Sequence, residues 1–179
     1  MYLFSLKRGL TLGYIYLYTG NGAGKTTSAL GLALRAVGHK YKVVIIQFLK
    51  FKKDVGEYKI RKKLQPYYEI YQFGVSWVNF KKLRKKDFEN AEKGLEFAWK
   101  ALRKKPKLLI LDEINLAVAK GLIDVEKVIK LLNNIPHETT IVLTGRYAPK
   151  KLVEKADFVN EIVELKRPKK NVSIKGINF

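Results

Sequence analysis

Tyr14-Ile-Tyr-Leu-Tyr18 runs directly into Thr19-Gly-Asn-Gly-Ala-Gly-Lys-Thr-Thr27, and residues 25–37 then carry Ala29, Leu30, Ala33, Leu34 and Val37 at helical spacing. The first run is apolar and aromatic and stops at Gly20, which predicts a buried strand. The last is an amphipathic helix with Gly38 as its stop. Between them lies a glycine-rich loop in strand–loop–helix order, the context in which a phosphate-binding loop works. Its glycines let the backbone turn tightly, so that several N–H groups point inward at phosphate oxygens. The helix N-terminus adds partial positive charge. Lys25 supplies a full charge, and the Thr26 hydroxyl is placed to coordinate Mg²⁺. Gly20, Asn21, Gly22, Ala23, Gly24, Lys25, Thr26 and Thr27 are therefore expected to hold a nucleotide's phosphates. Thr19 stands where the general pattern has its first Gly.

Outward from this loop, strands and helices alternate. Val43–Phe48, Tyr68–Phe73, Leu108–Leu111 and Thr140–Thr144 read as strands, with a last one over Phe158 to Leu165. Asp87 reads as the N-cap of a helix whose Phe88, Ala91, Leu95, Trp99 and Leu102 share one face. Asp124 caps another, with Val125, Val128, Ile129 and Leu132 inward. Uninterrupted apolar strands between amphipathic helices require a sheet covered on both faces. The expected fold is α/β, P-loop NTPase-like (RecA-like), a mostly parallel sheet flanked by helices on both faces. Without repeat, linker or composition break, residues 1–179 read as a single nucleotide-binding domain. Lys50 to Lys86 is the least regular stretch, and such segments usually cover an active site.

Composition narrows the chemistry. There is no cysteine, so disulfides, thiolate zinc sites and iron–sulfur clusters are excluded. His39 and His137 have no ligand-like spacing and read as surface or turn residues. No apolar run is long enough for a membrane span, and the first eight residues do not have the order of a secretory signal. A cytoplasmic setting follows. The net charge of +20 is spread over scattered Lys-rich runs, which reads as a solvated surface rather than a nucleic-acid stripe.

Leu108-Leu-Ile-Leu-Asp112-Glu113 is an apolar strand delivering two carboxylates. In open α/β sheets ligands sit outside the carboxyl ends of the strands, so these acids face the crevice of the phosphate loop and can hold the metal with Thr26. Asp112 is alternatively the N-cap of the helix that follows. Glu113 can also orient a hydrolytic water. From these residues alone a P-loop ATPase acting at the γ-phosphate, with nucleic acid on its basic surface, stays open, as does a nucleotide-binding regulatory module.

The blocks further along point elsewhere. Gly20 to Gly31, Arg35-Ala-Val-Gly-His39, Val44 to Lys50, Gly56-Glu57, the Trp77 region, Asp87 with Ala91 and Trp99, Leu111 to Asn115, Leu143-Thr-Gly-Arg146 and Gly176 to Phe179 come in order. Together they resemble the P-loop corrinoid adenosyltransferases, which act on cob(I)yrinic acid a,c-diamide or cob(I)alamin. The resemblance implies that a reduced corrinoid's Co(I) attacks the 5′-carbon of ATP and that the triphosphate leaves. It implies catalytic roles for Lys25, Thr26, Glu113 and Arg146, and metal contact for Thr26, Asp112 and Glu113. It places Trp77, in Phe73-Gly-Val-Ser-Trp77, against the corrin; a core position is the alternative for that residue. It further implies ATP, Mg²⁺ and reduced corrinoid as ligands, an electron-donor flavoprotein as a partner, a homodimer, and a lid in the segment before Arg8. Two departures stand out: Ala23 where the family commonly has a second lysine, and Val75 where it often has an aromatic.

Overall fold

The computed structural model describes residues 13–170 and 172–177. The elements in order are β1 (Ile15–Thr19), α1 (Lys25–Gly38), β2 (Val43–Phe48), the single turn α2 (Gly56–Lys59) leading into a 3₁₀ turn at Ile60–Lys62, and β3 (Tyr68–Phe73). Then come α3 (Lys85–Arg103), β4 (Leu108–Asp112), α4 (Ile114–Ala119), α5 (Val125–Leu132), β5 (Thr140–Thr144), α6 (Lys150–Lys155) and β6 (Phe158–Glu161). The strands form one sheet in the order β3-β2-β4-β5-β1-β6, and every pairing is parallel.

Strand side chains alternate between faces, and the two sets bury against different helices. Val43, Ile45, Ile70, Leu108, Ile110 and Val142 pack on Ala29 and Ala33 of α1. Val44, Ile46, Phe48, Leu109, Leu111, Ile141 and Leu143 pack on the apolar sides of α3, α4, α5 and α6. Both faces of the central strands are thus covered, which is why β2 as far as Ile46 and β4 as far as Leu111 read as unbroken apolar runs. No helix among the described residues is long and apolar enough to cross a membrane.

Several local expectations are corrected. Only Ile15 and Leu17 of β1 are buried; Tyr16 instead stacks on Phe158 of the edge strand β6 at 4.4 Å. That edge strand ends at Glu161, short of Leu165. Beyond it Ile162 still donates its N–H to the Thr19 carbonyl of β1, while its own carbonyl accepts from the phosphate loop. Asp87 is not the N-cap of α3. Arg84 holds that position, and Asp87, one turn in, accepts from the Arg84 backbone N–H at 2.9 Å. This is the returning half of a capping box, whose geometry lets an acid at the third helical position mimic a cap in sequence. Phe88 and Leu34, counted on inner faces, are 40% and 64% exposed. His39 and His137 are both exposed. The segment before Arg8 lies outside the described residues, as do Asn178 and Phe179.

Candidate functional site

At the carboxyl ends of the strands opens a cavity of about 870 Å³, one end formed by residues 22–27 of the phosphate loop. The loop is held from behind. Gly20 has φ +94°, and a Cβ there would lie 2.4 Å from the Ile162 carbonyl oxygen. Gly22 donates its N–H to that oxygen at 2.8 Å, and its own Cβ would approach to 2.8 Å. Thr19, by contrast, is the last residue of β1, paired with Glu161 in extended backbone. No glycine is required there, which accounts for the departure from the general pattern. Its hydroxyl accepts from the Ala148 N–H at 3.3 Å.

Lys25 is buried and donates to the carbonyl oxygens of Gly20 at 2.7 Å and Gly22 at 2.5 Å. Burial lowers its pKa, as does the nearby Arg146 charge, while Glu113 works the other way. Thr26 Oγ1 donates to Asp112 Oδ1 at 2.8 Å.

Asp112, 1% exposed, is the hub. Its Oδ1 also accepts from Thr144 Oγ1 at 2.6 Å. Its Oδ2 accepts from Gln47 Nε2 at 3.0 Å and from the Lys50 ammonium at 2.8 Å. Burial alone would raise this carboxyl, but the Lys50 charge and the bonds from Lys50, Thr144 and Thr26 outweigh it and hold the pKa below the ordinary range. Asp112 does not cap α4; Glu113 occupies that position with φ +64°. Glu113 donates its N–H to Thr144 Oγ1 at 3.0 Å, while its buried Oε2 has no partner. Burial raises the Glu113 pKa and neighbouring Asp112 raises it further, with Lys50, Lys25 and Arg146 in opposition.

The sheet order explains how these groups meet. β5 lies between β4 and β1, so Thr144 at its end reaches both acids across the strand tips. Asn115 Nδ2 donates to the Tyr18 and Gly145 carbonyls, both at 3.3 Å, and ties β1 to β5. Each strand then turns away sharply. Leu49, Glu113 and Tyr147, all non-glycine, have φ of 61°, 64° and 58°. Left-handed backbone at such residues is sparsely populated and gathers at functional sites.

The irregular stretch after β2 builds the opposite wall, with Phe51, Val55, Ile60, Leu64 and Trp77 facing the loop alongside Leu30 and Leu34 of α1. Trp77 is 77% exposed, which disposes of the core alternative. It stands edge-on to Phe51 at 5.7 Å, with the Lys52 ammonium 5.0 Å above its ring. Val75 lines a separate small recess with Phe73 and Asp87, so the second aromatic beside Trp77 is Phe51. Arg146 is exposed and lines the main cavity with Glu113. Of the expected phosphate-binding residues, Gly22 to Thr27 line it, whereas Gly20 and Asn21 stand outside the lining.

Gln47, Lys50, Phe51 and Thr144 were not singled out from the sequence. The available signal was positional: a polar residue breaking an apolar run at the carboxyl end of a strand, as in Val43-Val-Ile-Ile-Gln-Phe48.

Comparison with known proteins bears on what such a cavity serves. A crystal structure of the flagellar accessory protein FlaH from Methanocaldococcus jannaschii superposes with a TM-score of 0.59 at 16% identity, over 86% of this chain and 72% of that one, a likeness of fold alone. Residues 11–179 match the model of the family described as ATP:corrinoid adenosyltransferase BtuR/CobO/CobP. The corrinoid adenosyltransferase of Escherichia coli K12 is 34% identical over 169 residues, 92% of this chain and 82% of that protein. That of a Sinorhizobium species is 35% identical over 159 residues, covering 87% and 74%. The corrinoid adenosyltransferase CobA of Salmonella typhimurium LT2 is 33% identical over 173 residues, covering 92% and 82%. These matches favour alkyl transfer over hydrolysis at the γ-phosphate, and the chain belongs to the ATP:corrinoid adenosyltransferase family.

Proposed function

We propose that the cavity carries out the family's transfer in the following way. ATP lies with its triphosphate on residues 22–27 and its ribose toward the Phe51–Trp77 side, where a corrinoid presents its cobalt. The observation that carries this reading is the two-ended cavity. Phosphate-loop amides and cations line one end, and the aromatic pair of exposed Trp77 and half-buried Phe51 lines the other.

The nucleophile is the substrate's own Co(I), whose electron pair forms a bond to the ribose 5′-carbon as the bond from that carbon to the α-phosphate oxygen breaks. The triphosphate leaves with the electron pair of the broken bond. Charge grows on the leaving group, so the residues that matter are those that stabilise it. Lys25 and the loop N–H groups hold the phosphates, and Arg146 closes on them from the end of β5. Glu113, opposite Arg146 and Lys25, keeps those cations oriented toward the cavity.

A phosphate-bound Mg²⁺ needs only one or two protein oxygens. The adjacent Thr26 hydroxyl and Asp112 carboxylate fit that role, with Glu113 beside them and an ammonium already seated between the first two. Among the described residues no group of three or more His, Cys, Asp and Glu forms a separate metal cage. Bound there, Mg²⁺ neutralises developing phosphate charge. Trp77 and Phe51 shield the cobalt face from water and from its lower axial ligand. A flavoprotein electron donor, a homodimer and a cytoplasmic setting complete this reading.

The test is an anaerobic incubation with MgATP and chemically reduced corrinoid. Adenosylated corrinoid with one equivalent of intact triphosphate is the expected result. ADP with phosphate and no cobalt–carbon bond would overturn it.

A further inference from the structure

Lys50 occupies an unexpected place. Its ammonium lies 3.0 Å from Thr26 Oγ1 and 2.8 Å from Asp112 Oδ2. These are the two side chains best placed to hold a divalent cation beside the phosphates. Asp112 is saturated: Thr26 and Thr144 donate to one oxygen, Gln47 and Lys50 to the other. Of those four donors only Lys50 carries a charge. It is also the only one attached by a long flexible stem whose side chain reaches the surface, 30% exposed. It directly follows Leu49, whose backbone is left-handed with φ 61°.

We propose that Lys50 and a divalent cation compete for the same pair of oxygens. Lys50 acts as a tethered counter-cation that keeps Thr26 and Asp112 in register until the metal arrives. It then withdraws into the cavity it already lines with Lys25 and Arg146. Two cations at that spacing repel strongly in a partly buried site, so both cannot sit on Asp112 Oδ2 at once. The arrangement has a physical rationale. A buried carboxylate stripped of its counter-charge is costly, and an internal lysine removes that cost while leaving the position exchangeable.

This positioning role rests on the metal-binding part of the proposed function, but its test needs neither nucleotide nor corrinoid. A failure here is therefore separable from a failure of adenosyl transfer. Mn²⁺ binding to the nucleotide-free protein is measured by electron paramagnetic resonance for wild type, Lys50→Met, Lys50→Gln and Lys52→Met, with folding checked by circular dichroism. Breaking a charge-assisted hydrogen bond is the step the metal no longer has to perform. Lys50→Met should therefore bind Mn²⁺ about tenfold or more tightly than wild type. Lys50→Gln should follow in the same direction. Lys52→Met, which removes the same charge from the same cavity without touching Asp112, should stay within about twofold of wild type, since exposed charges are screened. Equal or weaker Mn²⁺ binding in both Lys50 variants overturns the proposal, as does an equal gain in Lys52→Met. If neither Lys50 variant folds, amine acetylation of wild-type Lys50 is followed by mass spectrometry across a Mn²⁺ titration. Its rate should then rise severalfold with metal, and a flat rate overturns the proposal.

Discussion

Replacing Thr144 by valine removes one hydroxyl and two hydrogen bonds at the centre of the site while keeping the side chain's shape. Thr144 is fully buried, donates to Asp112 Oδ1 at 2.6 Å and accepts from the Glu113 N–H at 3.0 Å. A hydrogen bond to a charged group contributes about 1.5–3 kcal/mol, and leaving a buried donor unpaired costs about 1–3 kcal/mol. Asp112 keeps three other donors, so the loss belongs near the lower end of each range, about 3 kcal/mol in total. For a chain of this size that corresponds to a fall in Tm of roughly 6–12 °C. The assay is urea unfolding at neutral pH with the wild type and Thr144→Ser, which keeps the hydroxyl, alongside. The pH dependence adds a second signature. The folded Asp112 pKa lies below its ordinary value. Its stabilising contribution is present above about pH 4 and lost as pH falls through the folded pKa. Thr144→Val raises that folded pKa, so the gap from wild type should be widest at neutral pH and narrow in acid. A Thr144→Val protein within about 0.5 kcal/mol of wild type, or a Thr144→Ser protein equally damaged, would refute the reasoning.

Glu113 titrates with the opposite sign. Its folded pKa is raised chiefly by burial, so ionisation above about pH 4.3 works against folding until the folded pKa is passed. Glu113→Gln should be more stable than wild type at neutral pH and should lose that decline in urea titrations run across pH; a variant less stable at pH 7 contradicts the assignment. Trp77→Ala should leave stability within about 0.5 kcal/mol, because so exposed a ring contributes little to the core. Corrinoid KM should rise while ATP affinity, read by calorimetry, is retained; unfolding of this variant would count against the aromatic wall. Gly20→Ala combines a positive φ with a Cβ 2.4 Å from the Ile162 oxygen. Loss of at least about 3 kcal/mol, or failure to accumulate folded protein, is expected, and a normal Tm would show that the loop is not pinned from behind.

Much of this protein is legible one segment at a time. The strand, loop and helix of residues 14–38 announce themselves because their requirements are local: apolar runs for buried strands, glycines for a tight turn, a cation and a hydroxyl at set spacing. The covered parallel sheet follows for the same reason, since β2 and β4 are buried on both faces and have to read as apolar runs until their carboxyl ends, where Gln47 and Asp112 stand. Where local pattern misled, the reasons were of two kinds. Leu34 keeps its helical spacing yet faces the cavity wall rather than the sheet. Phe88 and Asp87 shift meaning once α3 begins at Lys85.

The site itself was decided by the tertiary structure. Thr26, Gln47, Lys50, Asp112 and Thr144 are scattered over more than a hundred residues; Thr26 and Asp112 stand in recognisable motifs, whereas Gln47, Lys50 and Thr144 look ordinary where they stand. The order β3-β2-β4-β5-β1-β6 sets the tips of β2, β4 and β5 side by side next to the phosphate loop. Only there does one buried carboxylate gather four donors, because the unpaired charge would be too costly to bury any other way. From the sequence by itself the loop at residues 20–27 is expected to hold phosphates; the packing of three strand ends set Asp112, with Lys50 seated upon it, beside that loop.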